Sequence, residues 1–230
     1  MDIISNIIQQ ICNFVWGLPM IILLVGTHIF LTFRLKFPQR KILTAIKLSM
    51  TTDNGSKGDV SQFGALMTSL AATIGTGNII GVATAVSLGG PGAIFWCWLT
   101  GLFGIATKYG EGLLAVKYRI KTPDGEMAGG PMYALERGVG IKWLAVLFSI
   151  LTAFAAFGIG NTVQANAISE NVCSLTDGHI NTVLCKTIVG LIITTITAIV
   201  IFGGVKSIAR FCSKLIPFMA TFYIIGCIYI

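Results

Sequence analysis

Apolar residues fall along this chain in six runs of near-spanning length, separated by short polar or basic connections. The runs are about Phe14–Phe33, Phe63–Leu88, Pro91–Tyr118, Trp143–Ala165, Thr182–Phe202 and Leu215–Ile230. A helix needs ~20 residues to cross a bilayer. The pattern therefore predicts an all-α polytopic membrane protein with a single transmembrane region over residues 1–230. Two connections carry their own helical signal. Ile42–Met50 has Ile42, Ala45, Ile46 and Met50 against Lys41 and Lys47, as in an amphipathic helix on a membrane surface. Pro131–Gly138 can begin a second short helix with proline in its first turn. Thr51–Gly58 reads as a polar loop.

The second run is not a plain spanning helix. Its centre, Gly75-Thr76-Gly77-Asn78-Ile79-Ile80-Gly81, puts three glycines and two polar residues at bilayer depth. Unpaired backbone in hydrocarbon costs several kcal/mol per group, so a helix is interrupted there only where it lines a cavity. Half-helices meeting at such a break are how secondary transporters hold an anionic substrate group and a coupling ion near the midplane. A helix entering at Phe63 and ending near Ile74 leaves its last carbonyls unpaired. Those of Ala71 and Ile74, three residues apart, suit a hard cation that takes oxygen ligands. The outer half-helix starting near Asn78 offers N–H groups at Thr76, Gly77 and Asn78 and a positive dipole end to a carboxylate. Gly75 and Gly77 permit close approach. The competing reading is that Gly77 and Gly81 form a small-residue packing face. A phosphate loop is excluded, because no Lys-Ser or Lys-Thr follows the glycines.

Composition agrees with the class. Hydrophobic residues make up 54% and charged residues 11% of the 230, against roughly 25% charged in a soluble domain, and mean hydropathy is +0.83. The net charge of +7 is not a nucleic-acid signal, since no aromatic-basic stripe accompanies it. The cations sit in alternate connections instead. Arg34, Lys36, Arg40, Lys41, Lys47 and Lys57 follow the first run, Lys117, Arg119, Lys121, Arg137 and Lys142 the third, and Lys206, Arg210 and Lys214 the fifth. The Gly89-Gly90 turn and the loop Ser169–Asn181 have none. By the positive-inside rule the basic loops are cytoplasmic and the N-terminus is outside. Only Lys108 and Lys186 lie off this scheme. The sole early charge is Asp2, so the first run lacks a signal-peptide layout and is expected to be retained.

The residues also carry a resemblance. Ala71 through Ala85 (AATIGTGNIIGVATA), followed by Gly89-Gly90-Pro91-Gly92-Ala93-Ile94-Phe95-Trp96, resembles the signature of the alanine or glycine:cation symporter family, also called sodium:alanine symporters. Supporting stretches are Lys108–Glu111, Ala115–Arg119, Gly129–Tyr133 and Phe157–Asn161, and the similarity runs from about Trp16 to the end. The resemblance implies a leucine-transporter-like fold of two inverted five-helix repeats, with sodium as coupling ion and small neutral amino acids as substrate. It implies multi-pass insertion in the inner (cytoplasmic) membrane. It also implies that the Ala71 and Ile74 carbonyls belong to a sodium site. Family members are about twice as long as this chain. One extra leading helix plus the first repeat accounts for six segments, so the second repeat is expected to be missing. Substrate and ion sites lie between the repeats. A partner chain supplying the second repeat is thus one expectation, and a transport-inactive remnant or a pore or scaffold subunit is another. The abrupt end at Cys227-Ile228-Tyr229-Ile230 is expected to reflect truncation.

Other candidates are weaker. Phe157, Asn161 and Gln164 fall at i, i+4 and i+7, on one face of an α-helix, and could line a pocket for a small zwitterion. The alternative is that the two amides bond neighbouring helices. Lys108 and Glu111 are an expected structural ion pair or an inner gate. Cys173 and Cys185 bracket the outer loop, so a disulfide is geometrically conceivable, although packing is the default role for the six cysteines, which show no metal spacing. His28 and His179 are isolated, the one explained by packing of the first run and the other by the outer loop. No hydrolytic triad, redox motif or nucleotide loop is present, which argues against a membrane enzyme and against any cofactor beyond sodium.

Overall fold

The computed structural model describes residues 2–51, 58–176 and 181–229. The part of the polar loop at 52–57, Asp177 and His179 lie outside the described residues. The first run opens further upstream than Phe14. Helices α1 (Asp2–Val15) and α2 (Leu18–Arg34) are separated by a turn at Trp16-Gly17. Glycine is needed there, because a Cβ at residue 17 would lie 2.9 Å from the Asn13 carbonyl oxygen. Pro19, in the first turn of α2, restarts the helix where an N–H is not required. A short 3₁₀ turn, Pro38–Lys41, leads into α3 (Ile42–Met50), over the residues whose pattern predicts it.

The second run is bent. Helix α4 (Gln62–Thr73) is capped by Ser61, whose Oγ accepts from the Gly64 N–H at 3.1 Å. A π turn (Gly77–Gly81) and α5 (Val82–Gly89) continue the run at 55° to α4. Gly90, with φ at +69°, then turns the chain into α6 (Gly92–Lys117). A two-stranded antiparallel hairpin comes next, β1 (Ile120–Lys121) with β2 (Met127–Ala128), in a register pairing Ile120 with Ala128. The hydropathy pattern gave no sign of it. It leads into α7 (Pro131–Ala134) and a π turn, Leu135–Val139. Helix α8 (Lys142–Ala155), a π segment (Ala156–Thr162) and α9 (Val163–Ser174) form one continuous rod. Helices α10 (Thr182–Phe202) and α11 (Gly204–Tyr229) complete the chain.

Among the described residues, four helical stretches are long and apolar enough to cross a membrane, or five if the bent pair is one span. They are Ile4–Arg34, Lys142–Ser174, Thr182–Phe202 and Gly204–Tyr229, with Gln62–Gly89 as the bent one. Helix α6 has the length, at 26 residues, but Lys108, Glu111 and its glycines dilute it. Most large apolar side chains point outward, Phe202 at 90% exposure among them. A water-soluble protein does not carry that much exposed apolar surface. The chain is an all-α polytopic membrane protein.

The two most extensive helix interfaces are those of α4 with α11 and of α2 with α6. Helix α4 lies along α11, where Met67, Cys212 and Ile216 are buried and Phe63, Leu70, Ala71 and Ile208 pack around them. Gly64 lets the two axes approach, its missing Cβ position being 3.5 Å from the Ala209 Cβ. Helix α2 lies along α6, with Thr32 and Ala106 buried. His28 Nδ1 is 2.7 Å from Thr107 Oγ1, and the Gln39 amide donates to Thr32 Oγ1 (3.3 Å) and to the Leu102 carbonyl (3.0 Å). His28 thus makes a specific hydrogen bond between helices in addition to packing.

Cys173 and Cys185 are bonded as a disulfide, with Cα atoms 6.0 Å apart. Packing as the default for these two is corrected. The end of α9 and the start of α10 run antiparallel across a short loop, which brings the two sulfurs together. The remaining cysteines, Cys12, Cys97, Cys212 and Cys227, are free. The two lysines that break the basic-loop pattern are both neutralised: Lys108 Nζ is 2.9 Å from Glu111 Oε2, and Lys186 Nζ is 3.5 Å from Glu170 Oε1. Both pairs are well exposed in the chain, so each adds little to stability.

Candidate functional site at the helix break

The break is built by the backbone of α4 running out of partners. The α-helical ladder ends with the Ile74 N–H donating to the Leu70 carbonyl at 2.8 Å. The Gly75 N–H does not continue it onto Ala71, and among the described residues the Ile74 carbonyl accepts no hydrogen bond. Ile74 has extended backbone angles (φ −80°, ψ +111°), which turns its carbonyl out of the helical direction. Ala71 meanwhile packs against the α11 core, so the end of α4 is anchored by its side chains while its backbone is open.

On the other side of the break two of the three N–H groups expected to be free are engaged. The Asn78 N–H donates to the Gly75 carbonyl at 3.0 Å. The Thr76 N–H donates to Gln164 Oε1 at 3.1 Å. Asn78 folds back as well, its Nδ2 donating to the Thr73 carbonyl at 3.3 Å. Asn78 therefore stitches the end of α4 to the start of the π turn. The π turn at Gly77–Gly81 is a second departure from regular α geometry at this point, and such turns concentrate at functional sites.

Gln164 is the residue of the expected polar stripe that reaches the break. Its amide lies over Gly75, where a Cβ would come within 3.2 Å of Nε2. A side chain at this position would press on the amide and lengthen its bond to the Thr76 N–H. Phe157 and Asn161 do not join it. Phe157 is 84% exposed, and Asn161 is exposed without a hydrogen bond among the described residues. The reason is the π segment Ala156–Thr162. An i→i+5 turn holds one residue more than an α turn, so α8 is rotated by roughly a quarter-turn relative to α9. The i, i+4, i+7 face drawn for a regular helix is therefore split, and Phe157 leaves the side that carries Gln164.

Sequence reasoning missed the wall contributed by α11. Ile74, Asn78 and Ile79 face Ile216, Met219, Phe222 and Tyr223 across an apolar cavity of about 480 Å³. Ile216, Met219 and Tyr223 are spaced i, i+3 and i+7, so their common face was visible in principle. Nothing in the spacing said that this face meets the break. The break thus has two different sides, an amide side at Gly75–Thr76 and an apolar side at Asn78–Ile79. No cluster of three or more His, Cys, Asp or Glu side chains placed to hold a metal occurs among the described residues, so a cation here would depend on neutral oxygens.

Comparison with known proteins gives the same picture. A family model described as the sodium:alanine symporter family matches residues 1–230. The sodium/alanine symporter AgcS of Methanococcus maripaludis is 52% identical over 98% of this chain and 50% of its own length. An uncharacterized transporter of Haemophilus influenzae is also 52% identical, over 96% of this chain and 48% of its own. The amino-acid carrier protein AlsT of Bacillus subtilis is 34% identical over 98% and 47%. The chain spans about half the length of the relatives it matches. With a matched model over its whole length and a broken, multi-spanning helical fold, the chain belongs to the sodium:alanine symporter family.

Proposed function

We propose that this chain forms the first repeat, with one extra leading helix, of a leucine-transporter-like inverted-repeat fold. In this reading it takes part in sodium-coupled symport of a small neutral amino acid, alanine or glycine, across the cytoplasmic membrane. The observation that carries the reading is the open end of α4. The Ile74 carbonyl accepts no hydrogen bond among the described residues, beside a glycine N–H that leaves the helical ladder, in a run bent by 55°. Backbone left open at that depth fits a cation that takes neutral oxygens, and the carbonyls of Ala71 and Ile74 are the proposed sodium ligands.

The substrate carboxylate goes to the Gly75–Asn78 side. One donor there is the Thr76 N–H, bonded to a neutral amide oxygen of Gln164. A carboxylate makes a charge-assisted bond about twice as strong as a neutral one, so it displaces the amide oxygen. Gln164 Nε2 then becomes a donor to the same carboxylate. A short apolar side chain fits the cavity under Asn78 and Ile79. Phe157 and Asn161 remain proposed substrate contacts only if the rod turns toward the break during transport. Further ligands come from the half of the relatives that this chain does not span, in the second repeat or a partner chain. The substrate printed in the name of the 52% identical Methanococcus maripaludis protein supports alanine.

The test is Asn78→Ala in the protein that carries this chain, assayed by sodium-dependent alanine uptake together with membrane insertion. Loss of the tie to the Thr73 carbonyl is expected to abolish uptake and leave insertion unchanged. Uptake at the unsubstituted level would mean that Asn78 and its neighbours only pack helices.

A further inference from the structure

Away from the break, a second cavity of about 540 Å³ lies between α2, α6 and α7. We propose that it is a binding site for one anionic phospholipid, drawn from the leaflet that the basic loops face. Its walls are apolar, with Leu31, Leu114, Ala115, Pro131, Leu135 and Val139. Glycines let these elements meet around it. A Cβ at Gly110 would lie 3.8 Å from a Leu31 methyl, and one at Gly138 would lie 2.9 Å from the Tyr118 ring. From Thr107 to Tyr118 the trough runs along the last three turns of α6, ~16 Å at 1.5 Å per residue. That is the run of an acyl chain descending from a headgroup at the helix end toward the bilayer core.

The rim supplies the charge. Lys117 Nζ stands 5.3 Å from the centroid of the Tyr118 ring, which forms the mouth of the trough. The Arg119 Cβ packs beside Gly129, next to the lining residue Gly130. Among the described residues, Glu111 is the one carboxylate on the wall, and its Oε2 is held by Lys108 at 2.9 Å. The acid is thereby paired, and among the described residues no ion pair engages Lys117 or Arg119, which flank the lining residue Tyr118 and are available to a headgroup. A water-soluble anion has no use for the apolar walls, and a zwitterionic lipid does not match two cations. Basic pockets between membrane helices on the positively charged side bind anionic headgroups. The site is separate from the helix break and does not depend on the transport reading.

The experiment uses the protein that carries this chain in nanodiscs of equal parts phosphatidylcholine and phosphatidylglycerol, with retained lipid read by native mass spectrometry. Phosphatidylglycerol is expected as a retained adduct and phosphatidylcholine is not. The pair Lys117→Gln and Arg119→Gln should weaken retention about 30-fold, from roughly 1 kcal/mol per basic side chain near the surface and 1.4 kcal/mol per tenfold. Ala134→Phe, which fills the trough and leaves every charge in place, should abolish it. A photoreactive residue at Leu114, which needs no trough-filling variant to fold, should crosslink phosphatidylglycerol. Retention by Ala134→Phe at the starting level would show annular lipid only. That result, equal crosslinking to phosphatidylcholine, or crosslinking of Leu114 to polypeptide, overturns the proposal.

Discussion

Gly75→Ala tests the contact on which the amide side of the break depends. The new Cβ would sit 3.2 Å from Gln164 Nε2, 3.5 Å from Oε1 and 3.6 Å from Cδ. The backbone cannot retreat, because α4 is fixed on α11 by Met67, Leu70 and Ala71. The amide is the far end of a flexible side chain, so it yields by a few tenths of an ångström. In yielding it lengthens the 3.1 Å bond from the Thr76 N–H. The net worth of such a bond is about 1 kcal/mol, and Thr76 is only half-buried, so the loss is about five-fold in an equilibrium constant rather than a hundred-fold. In the proposed binding step the carboxylate displaces this bond, so weakening it in the unliganded protein should lower half-saturation for alanine uptake by up to that factor. Gln164→Ala removes the same bond but also the Nε2 donor to the bound carboxylate, so the two effects offset and its net change in half-saturation should be smaller. In the Gln164→Ala background there is no amide to displace, and Gly75→Ala should then change almost nothing. The double-mutant interaction is therefore expected at about 1 kcal/mol. Simple additivity of the two changes would falsify the argument that Gly75 acts through Gln164.

Three further outcomes are expected from the fold. Removing the Cys173–Cys185 bond by Cys173→Ser should cost about 3 kcal/mol by the loop-closure estimate, for a sequence separation of 12, read as a lowered unfolding temperature in detergent. Maleimide labelling of reduced and unreduced membranes should give two additional thiols on reduction, and equal labelling would remove the disulfide from the account. With the free cysteines replaced, an impermeant thiol reagent applied outside should reach a cysteine at Thr176 but not one at Asp124 in the hairpin turn, and the reverse pattern would invert the topology. Gly64→Leu should wedge α4 from α11, where Ala209 and Ser213 stand 3.5 and 3.6 Å from the Cβ position. Overpacking of that kind costs about 1–3 kcal/mol, and an unchanged unfolding temperature would mean the helices are less closely packed than described.

The sequence by itself determined the membrane class, the place of the break and the family. Each rests on local content. A run of apolar residues fixes what can face lipid, Gly75-Thr76-Gly77-Asn78 fixes where a helix cannot continue cheaply, and the order of basic loops suggests which side is which. What only the tertiary structure decided is who meets the break. Gln164 reaches the Thr76 N–H across 88 residues, while Phe157 and Asn161 do not, because a π segment changes the hydrogen-bond register between them. Residue spacing assumes 3.6 residues per turn, and an inserted residue is invisible to it when the segment is apolar throughout. The α11 wall with Met219 and Tyr223 was hidden for a related reason. In a chain bound for lipid, apolar faces on every helix look alike, because hydropathy does not distinguish a face against lipid from one against protein. Packing at small residues such as Gly64 and Gly75 makes that distinction, through the distance at which two backbones can stand.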